Sequence, residues 1–529
     1  SGERQGHNGG ASRIYRQGGR DQRACGLPAG RMPSRPGKDA VGESYAGGNP
    51  PYHRKDEIMM QIKQQLDQYF ETHTKDMLAD IAELVSIDSV TAQETATAPF
   101  GEGTEKALAC ALEIAKRDGF TVKNFENYVG TVDYFEDRRD AELGMLAHLD
   151  VVAVGDGWTQ DPFTCIERDG KIFGRGTADD KGPAMAAYYA MKAVRDLGIP
   201  LKKNVRLILG TDEECGSSDI RYYFQKESVP NHVFSPDADF PLINIEKGGL
   251  RNDFNARYPE DAALPRIQSI QGGHTSNVVP QHAQAVIEGF PKEQAEACCK
   301  QAEARTGVQF TVSEQDGALC IHALGKGSHA AIPEGGNNAV TALLDLLCSM
   351  PFAKSEGFVK LCAVHRMFPH GDWLGKAAGI AMEDEISHEL TISFDVFQYS
   401  LTGFTGNFDC RAPICANDGN VRDVLIQKFA DAGIFMSDKP MHKPHHVKAD
   451  DPFVKTLLKC YEEYTGREGY CMAIGGGTYV HSIEGGVAFG CSMPETENRM
   501  HGPDEFAVIE ELVVSAKIFA QVIVDLCAE

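Results

Sequence analysis

Residues 174–183, with the sequence GRGTADDKGP, constrain the fold of this chain more than any other stretch. Two glycines allow a tight turn, two carboxylates follow at Asp179 and Asp180, and the final proline suits the first turn of a helix. The spacing predicts a helix over residues 184–197 that stops at Gly198. A carboxylate at such a strand-to-helix turn lies where open α/β sheets bind ligands, although both carboxylates would also suit a simple helix cap.

Strands and helices alternate on both sides of this turn, from about residue 59 to residue 247. This alternation predicts an α/β fold, with a mostly parallel sheet and helices on both faces. Short alternating segments between turn signals follow over residues 248–442 and indicate an inserted α+β lid domain. Residues 443–529 then return to the first domain through a polar linker in which we expect His445 and His446 to be exposed to solvent.

Length and charge narrow the classes of function. A chain of 529 residues is too long for one ordinary core, so we expect two or more domains. Residues 1–58 are rich in Gly, Arg and Pro and lack apolar periodicity, which predicts a disordered or non-native tail. The formal net charge of −24 argues against nucleic acid and anionic membranes as partners.

The cysteines and the hydropathy pattern bear on location. The 15 cysteines are an odd number, they form no CxxC pair, and no secretory signal accompanies them. This usage is typical of reduced thiols in the cytosol. No apolar run is long enough to span a bilayer. We therefore expect a cytoplasmic protein.

Acidic and imidazole side chains follow three successive predicted strands. They are His148 with Asp150, Glu213 with Glu214, and Asp237. The carboxyl ends of parallel strands share one edge of a sheet, so we expect these groups to converge with Asp179. Imidazole and carboxylate together are a suitable ligand set for Zn²⁺ or Mn²⁺.

Each of these residues also has a plainer interpretation. His148 suits a core histidine, Asp150 and Asp237 suit turns, and adjacent glutamates are most often a solvated pair. His501 lies in a polar loop, where a histidine needs no special role. Clustered carboxylates repel one another unless cations neutralise them, which favours a metal site over coincidence.

Five motifs resemble those of the dinuclear zinc peptidases, the family of carboxypeptidase G, aminoacylase and carnosinase. The motifs are HLDVV at His148, GRGTADDKGP at Asp179, TDEE at Glu214, SPDADFP at Asp237, and the glycine turn 475–478 that precedes His501. Within this family the chain is most similar to the bacterial dipeptidase V group. The resemblance covers residues 60–529.

The resemblance implies two Zn²⁺ ions per subunit, with Mn²⁺ or Co²⁺ as other possible ions. The implied ligands are Asp179 as the bridge, His148 and Asp237 on one ion, and Glu214 and His501 on the other. Asp150 would accept the free ring N–H of His148 and fix its tautomer. Glu213 would be the general base that acts on a metal-bridging water.

The resemblance also implies substrate contacts outside the metal set. His329, in the sequence GSHAAIP, would stabilise the oxyanion, and Asn277 would contact substrate. Arg411 would bind the substrate carboxylate with its planar fork. Backbone N–H groups of a glycine turn would bind the same carboxylate, or the turn would be only a tight turn. The turn consists of Gly475, Gly476, Gly477 and Thr478.

The resemblance therefore predicts a cytosolic dipeptidase with aminopeptidase-like action. The long lid resembles that of monomeric relatives, so we expect a monomer in which His329 acts within its own chain. One alternative is a deacylase or desuccinylase of N-acyl amino acids. Another is an inactive relative that binds metal or peptide as a regulator, against which the intact Glu213 argues.

Overall fold

The computed structural model describes residues 51–260, 262–315 and 317–528. Most of the predicted tail, residues 1–50, lies outside the described residues. The last part of that tail is helical, because the first helix begins at Pro51 and not at the predicted Met60. A proline fits the first turn of a helix, where its missing N–H has no partner to lose.

The described residues form ten α-helices and 26 strands, numbered in chain order. The helices are α1 (Pro51–Val85), α2 (Glu102–Arg117), α3 (Lys181–Asp196), α4 (Ser218–Tyr223), α5 (Lys292–Thr306), α6 (Ala339–Ser349), α7 (Glu356–Met367), α8 (Arg422–Asp431), α9 (Pro452–Thr465) and α10 (Ile509–Cys527). The strands are β1 (Thr121–Phe125), β2 (Val129–Asp133), β3 (Ala141–His148), β4 (Ile166–Arg168), β5 (Lys171–Phe173), β6 (Asn204–Gly210), β7 (His232–Ser235), β8 (Ala238–Asp239), β9 (Ile243–Glu246), β10 (Gly248–Arg257), β11 (Arg266–Gly272), β12 (Val278–Val279), β13 (His282–Glu288), β14 (Gln309–Gln315), β15 (Ala318–Leu324), β16 (Ser328–His329), β17 (Glu383–Asp384), β18 (His388–Glu389), β19 (Thr391–Ser400), β20 (Gly403–Ala412), β21 (Phe435–Met436), β22 (His445–His446), β23 (Met472–Ile474), β24 (Val487–Ala488), β25 (Cys491–Ser492) and β26 (Phe506–Val508). None of these helices combines the length and the apolar character needed to cross a membrane.

Contacts divide the described residues into two compact units. The first unit comprises residues 51–241, 455–470 and 489–528, and the second comprises residues 242–454 and 471–488. The domain boundaries predicted from the sequence differ from these, because 242–247, 443–454 and 471–488 group with the second unit. The predicted boundaries therefore stay a prediction.

The first unit contains strands β1, β2, β6, β3 and β7, hydrogen-bonded in that order. β3 runs parallel to both β6 and β7, whereas β1 and β2 form an antiparallel hairpin that continues the sheet beside β6. β3 and β6 are almost wholly buried, as expected for strands covered on both faces. The α/β class is confirmed, with a mixed rather than a mostly parallel sheet in this unit.

Helix α3 follows the GRGTADDKGP turn and packs against α1 and α10. Its buried face is rich in small residues such as Ala186 and Ala190, which let the neighbouring helices approach. The helix begins at Lys181, two residues before the predicted proline start. The predicted stop at Gly198 is confirmed, since that residue takes a left-handed φ of 67° after the last turn.

The second unit is built on an eight-stranded antiparallel sheet in the order β14-β15-β13-β11-β19-β20-β10-β21. Its core is lined by phenylalanines, among them Phe254, Phe394 and Phe408, which are buried. Asn338 caps α6 by accepting the N–H groups of Val340 and Thr341. This unit has the α+β character predicted for the lid.

The return segment after residue 442 is more ordered than the sequence predicts. His445 and His446 form β22, which pairs with β9. His446 is exposed as predicted, but the prediction is wrong for His445, which is half-buried. Its Nε2 lies 2.7 Å from the carbonyl oxygen of Gly486. Polar residues misled the prediction because both imidazole nitrogens can satisfy hydrogen bonds inside a protein.

Candidate metal centre

Asp179 lies between two histidines of the first unit. One carboxylate oxygen, Oδ1, is 3.0 Å from Nε2 of His148, and the other, Oδ2, is 2.9 Å from Nε2 of His501. Asp179 and His148 are buried, whereas half of the His501 side chain is exposed. One carboxylate that presents a separate oxygen to each imidazole has the arrangement required of a bridge between two ions.

Further carboxylates surround the same two imidazoles. Asp237 Oδ2 is 3.5 Å from His148 Nε2, and Glu214 Oε1 is 3.3 Å from His501 Nε2. The ligand atoms of His148, Asp179 and Glu214 all lie within 4.8 Å of one another. The structure thus brings all five side chains predicted as metal ligands into one cluster.

Glu213 belongs to the cluster as well. Its carboxylate lies within 4.8 Å of ligand atoms of His148 and Asp237. This position would allow Glu213 to act either as a metal ligand or as a general base. Its predicted role as the base therefore stays a prediction.

The electrostatics of the cluster fit a cation. Burial, followed by the charge of Asp179, raises the pKa of both Glu214 and Asp237. Close contacts with the carboxylates of Asp179 and Glu214 raise the pKa of His501 to about 11. Burial opposes the ionisation of Asp179, yet its contacts with His148 and His501 lower its pKa. Among the described residues of the cluster, only the imidazoles can carry positive charge that offsets the carboxylates. Divalent metal ions would neutralise these carboxylates more completely.

One buried oxygen supports the same conclusion. Oε1 of Glu214 is buried and makes no hydrogen bond of acceptable geometry, although His501 Nε2 is 3.3 Å away. A buried carboxylate oxygen without a donor is costly unless a cation binds it. The donor set of imidazoles and carboxylates fits Zn²⁺ or Mn²⁺.

Asp150 links the histidine to the glutamate pair. Its two carboxylate oxygens accept the backbone N–H groups of Glu213 and Glu214, at 3.2 and 3.0 Å. The ring Nδ1 of His148 is 2.9 Å from the backbone oxygen of Asp150 and 3.4 Å from its carboxylate. The predicted partner of the ring N–H is therefore the right residue, but its backbone carbonyl makes the shorter contact.

The glutamate pair sits at a rigid strand end. Asp219, at the start of α4, accepts the N–H groups of Thr211 and Asp212 at 2.6 and 3.0 Å. Asp212 in turn accepts the N–H and hydroxyl of Ser218. These bonds fix the turn between β6 and α4, which contains Glu213 and Glu214.

Glu505 braces the turn that carries Asp179, and the sequence did not predict this role. Its Oε1 accepts the backbone N–H groups of Gly176, Ala178 and Asp179, at 3.0, 3.0 and 3.2 Å. Its Oε2 lies 2.6 Å from the guanidinium of Arg175, and both side chains are buried. Its nearness to His501 along the chain is the one sequence signal that pointed to it.

The loop that carries His501 has an unusual backbone. Arg499, His501 and Asp504 have positive φ values of 59°, 61° and 54°. Residues other than glycine adopt this region at an energetic cost, and such residues cluster at functional sites. Asp504 fixes the loop by accepting the N–H and hydroxyl of Thr159 at 2.9 and 3.0 Å.

The predicted oxyanion residue His329 lies in the second unit, on β16, paired with Val278. The N–H of Ala331 donates to its Nδ1 at 3.1 Å. A nitrogen that accepts a hydrogen bond carries no proton, so this contact places the proton of the neutral ring on Nε2. That tautomer is the one able to donate to an oxyanion.

Asn277 lies next to His329, because its carbonyl accepts the N–H of Ala330 at 2.8 Å. Its side-chain oxygen is buried and has no hydrogen-bond partner among the described residues. A buried amide oxygen without a donor is suited to receive one from a ligand.

Arg411 is held in place by its own unit. Its Nε and Nη2 donate to the two oxygens of Asp409 at 2.8 Å each, and its Nη1 donates to the carbonyl of Gly475 at 2.6 Å. A guanidinium has five N–H donors. Two of them therefore remain for a ligand.

The glycine turn 475–478 is only partly available for substrate. Thr478 donates both its N–H and its hydroxyl to Oε1 of Glu246, at 3.0 and 2.9 Å. In the described part of the chain, the N–H groups of Gly476 and Gly477 have no such partner. The prediction that the turn binds a carboxylate therefore rests on these two residues.

An open α/β sheet with imidazoles and carboxylates clustered at its strand ends, and a carboxylate between two histidines, defines a dinuclear-type metallohydrolase site. The sequence matches the family described as Peptidase family M20/M25/M40 over residues 144–525. The chain belongs to this family of peptidases, which confirms the resemblance inferred from the motifs.

Two relatives match nearly their whole length. YtjP of Bacillus subtilis strain 168 is 39% identical over 459 residues, which cover 85% of this chain and 97% of the relative. The Beta-Ala-Xaa dipeptidase of Lactobacillus delbrueckii subsp. lactis is 36% identical over 458 residues, 85% of this chain and 96% of the relative. Among solved structures, human carnosine dipeptidase 1 has the same fold, with a TM-score of 0.55 and 16% identity over 89% of this chain and 98% of that chain.

Proposed function

We propose that this protein hydrolyses dipeptides with the help of two metal ions. The observation that carries the proposal is the position of Asp179, whose two oxygens lie 3.0 and 2.9 Å from His148 and His501. Relatives of nearly full-length similarity include a Beta-Ala-Xaa dipeptidase. The relative favours a small peptide over a protein as substrate, and the position of Asp179 favours metal-dependent chemistry.

The proposed ligands are the five residues of the cluster. They are Asp179 as the bridge, His148 with Asp237, and Glu214 with His501. Two bound cations would lower the pKa of a shared water and polarise the scissile carbonyl. We propose Zn²⁺ as the physiological ion because both ligand sets mix imidazole with carboxylate, with Mn²⁺ and Co²⁺ as substitutes.

Glu213 is the proposed general base. Burial raises its pKa well above the usual value, and the charges of Asp237 and Glu214 add to that shift against the opposing effect of His148. A carboxylate whose pKa moves toward neutrality accepts a proton from water and returns it to the leaving amine more readily. Asp150 holds the backbone of Glu213 and so fixes where that proton is taken.

The second unit supplies the proposed substrate contacts. His329 would donate from Nε2 to the oxyanion, in the tautomer that Ala331 imposes. Arg411, with two N–H donors left, would bind the carboxylate of the peptide together with Gly476 and Gly477. Asn277 would accept a hydrogen bond from the substrate through its unpaired oxygen.

We also propose that the protein is a cytoplasmic monomer. The cysteines of the described residues are all free thiols, as expected in a reducing compartment. The proposal of a monomer assigns the role of His329 to the chain that carries the metal cluster, as expected from the long lid. Gel filtration with light scattering would contradict this point if it showed an obligate dimer.

The decisive experiment pairs a metal count with a substrate panel. Metal-free protein should be inactive, and protein reconstituted with Zn²⁺ or Mn²⁺ should bind two ions and hydrolyse free dipeptides. N-acetyl and N-succinyl amino acids serve as the competing panel. A preference for the acylated compounds would change the assignment from dipeptidase to deacylase. If the protein binds two ions but hydrolyses neither panel, the result would indicate an inactive regulator.

A further inference from the structure

His481, in the second unit, lies between two hydrogen-bond acceptors. Its Nδ1 is 2.9 Å from Oε2 of Glu246, and its Nε2 is 2.7 Å from the backbone carbonyl oxygen of Lys443. A carbonyl oxygen cannot donate, and an ionised carboxylate cannot either. Both ring nitrogens must then carry protons, which makes the side chain an imidazolium.

The hydrogen bonds that the other oxygen of Glu246 accepts favour the ionised form of this carboxyl group. Oε1 accepts both donors of Thr478, and Glu246 is 1% exposed. Three donors on one buried carboxylate stabilise its negative charge. The pair is therefore best described as an imidazolium–carboxylate pair in which the carboxylate is buried and the imidazolium is partly buried.

This pair shapes the glycine turn from one end. A Cβ added to Gly477 would lie 3.4 Å from both Glu246 Oε2 and His481 Nδ1, so the turn packs directly against the pair. Arg411 holds the other end through the carbonyl of Gly475. The N–H groups of Gly476 and Gly477 lie between the two fixed ends.

A count of charges shows what the site lacks. Arg251 and Arg411 share Asp409, with Arg251 Nε 2.8 Å from its Oδ2, and His481 pairs with Glu246. Three cations and two carboxylates leave one unit of positive charge, 3 − 2 = +1. This surplus matches one bound carboxylate, and it disappears when His481 loses its proton.

We propose that His481 and Glu246 are the positioning pair of a carboxylate-binding site formed by Arg411, Gly476 and Gly477, and that this site binds tightly only while His481 is an imidazolium. The ligand class is the free α-carboxylate of a peptide. The inference rests on the proposed function, because it assigns the recognition of the substrate's carboxyl end to this site.

The direction of the pH dependence follows from the contacts. Burial lowers the pKa of His481, but the hydrogen bond to Glu246 and the charge of Glu246 raise it overall. The pair is therefore intact below the ordinary histidine range and is lost as the pH rises through the raised value. The other titratable or charged groups that face His481 are His442, whose ring stacks on it at 4.2 Å, His445 at 6.2 Å, and Arg411.

Neighbouring groups do not supply a competing proton site of the same kind. Burial, followed by the charge of His481, lowers the pKa of His442. The ring of His445 points its Nε2 at the carbonyl of Gly486 and not at Glu246. Asp395 also interacts with Arg251 and Arg411, but burial raises its pKa to about 9, so it carries no charge at neutral pH. The loss of the proton of His481 is therefore the event that removes the surplus charge, as the pH rises through its raised pKa.

The test compares KM for one dipeptide between pH 6 and 9 in three metal-loaded proteins. The wild type should show KM rising by about tenfold or more, as for the loss of a charged hydrogen bond. His481→Gln should have the high KM at every pH. His481→Arg keeps a positive charge and has N–H donors for both acceptors, so its KM should stay low throughout. The kcat values should change much less than KM.

The ratio of wild-type KM to His481→Arg KM isolates the effect, since ionisation of the substrate and of the metal cluster cancels from it. His282→Gln is the matched control, because His282 is an exposed histidine of β13 that contacts His322 and should leave the profile unchanged. A ratio that stays constant across this pH range would overturn the proposal.

A second readout does not depend on activity. In metal-free protein labelled with ¹⁵N-histidine, the resonances missing from His481→Gln should show both ring nitrogens protonated at pH 7. A neutral ring there would contradict the proposal even if dipeptides are hydrolysed. Absence of dipeptide hydrolysis in every protein would instead reject the proposed function, while the spectrum would still decide the state of His481.

Discussion

The two units each contain a cluster of charged side chains, and the clusters differ in the sign of their net charge. In the first unit, carboxylates outnumber the imidazoles that face them, and burial works against their ionisation. In the second unit, Arg251, Arg411 and His481 outnumber Asp409 and Glu246. The first cluster lacks cations, and the second lacks one anion. A metal-dependent enzyme that acts on a carboxylate-bearing substrate needs one site for cations and one site for the carboxylate.

The clusters also differ in what holds them. Asp150, Asp219 and Glu505 hold the first cluster by accepting backbone N–H groups, so the chain itself is the scaffold. Side-chain ion pairs hold the second, as between Arg411 and Asp409. A scaffold of backbone hydrogen bonds leaves the carboxylates of the cluster free to bind a cation, whereas mutual ion pairs neutralise most of their own charge. The second cluster should therefore keep its geometry without any ion.

The largest expected effect comes from removing the proposed base of the first cluster. Glu213→Gln should lower kcat by about 10²–10⁴-fold, because the proton of the attacking water loses its acceptor. The metal count should stay at two ions, measured by atomic emission on the same sample. Glu136→Gln, which changes an exposed glutamate of the same unit, should leave both quantities unchanged.

Loss of an ion from Glu213→Gln would show that Glu213 is a ligand, which its closeness to His148 and Asp237 also permits. Full activity with two ions bound would falsify the proposed mechanism.

An intermediate effect should come from the second cluster. Arg411→Lys keeps the charge but loses the fork that binds Asp409 and Gly475, so KM for dipeptides should rise about 10–100-fold with a smaller change in kcat. Arg251→Lys is the matched control, since Arg251 shares Asp409 but makes no contact with the glycine turn in the described structure. Equal effects of the two substitutions would mean that Asp409, and not Arg411, governs binding.

The smallest expected effect is a pH dependence of the metal-free protein. Burial, and then the charge of Asp179, raises the pKa of Glu505 to about 7 from an ordinary 4.5, and burial raises that of Asp239 to about 6. Carboxyls with raised pKa values stabilise the fold at low pH and lose that contribution as the pH rises through the raised values. The Tm of the metal-free protein should therefore fall, by about 5 °C, between pH 4.5 and 7.

Loaded protein, scanned by calorimetry over the same range, should show little of this fall, because cations neutralise the cluster. Parallel curves for loaded and metal-free protein would refute the view that the first cluster is short of cations.

The sequence predicted that the five side chains of the ligand cluster converge, because His148 ends a strand, and Glu214 and Asp237 follow strands closely. Asp179 and His501 lie in loops, and their place in the predicted set came from the motif resemblance.

The sequence did not reveal Glu505, whose partners are backbone N–H groups about 330 positions earlier in the chain. Nor did it show that Thr478 is committed to Glu246, 232 positions away. Local patterns report which side chains a strand end presents, but not which distant donors satisfy them.

The same limit explains where the fold predicted from the sequence differs from the structure. The helix stop at Gly198 was predictable because a left-handed residue has a local signal. The order of His445 was not, because β22 is stabilised by pairing with β9 about 200 positions earlier. The mixed strand directions of the first sheet likewise depend on β2 meeting β6, a contact that alternation alone does not predict.

The brace made by Glu505 has a consequence for protein engineering. The proposed metal-binding residue His501 and the support of the proposed bridge Asp179 occupy one short segment, residues 501–505, and their partners occupy another, residues 175–179. Grafting either segment alone into a related enzyme would separate the carboxylate from its backbone donors. Recombination between homologues should therefore succeed most often when both segments come from the same parent.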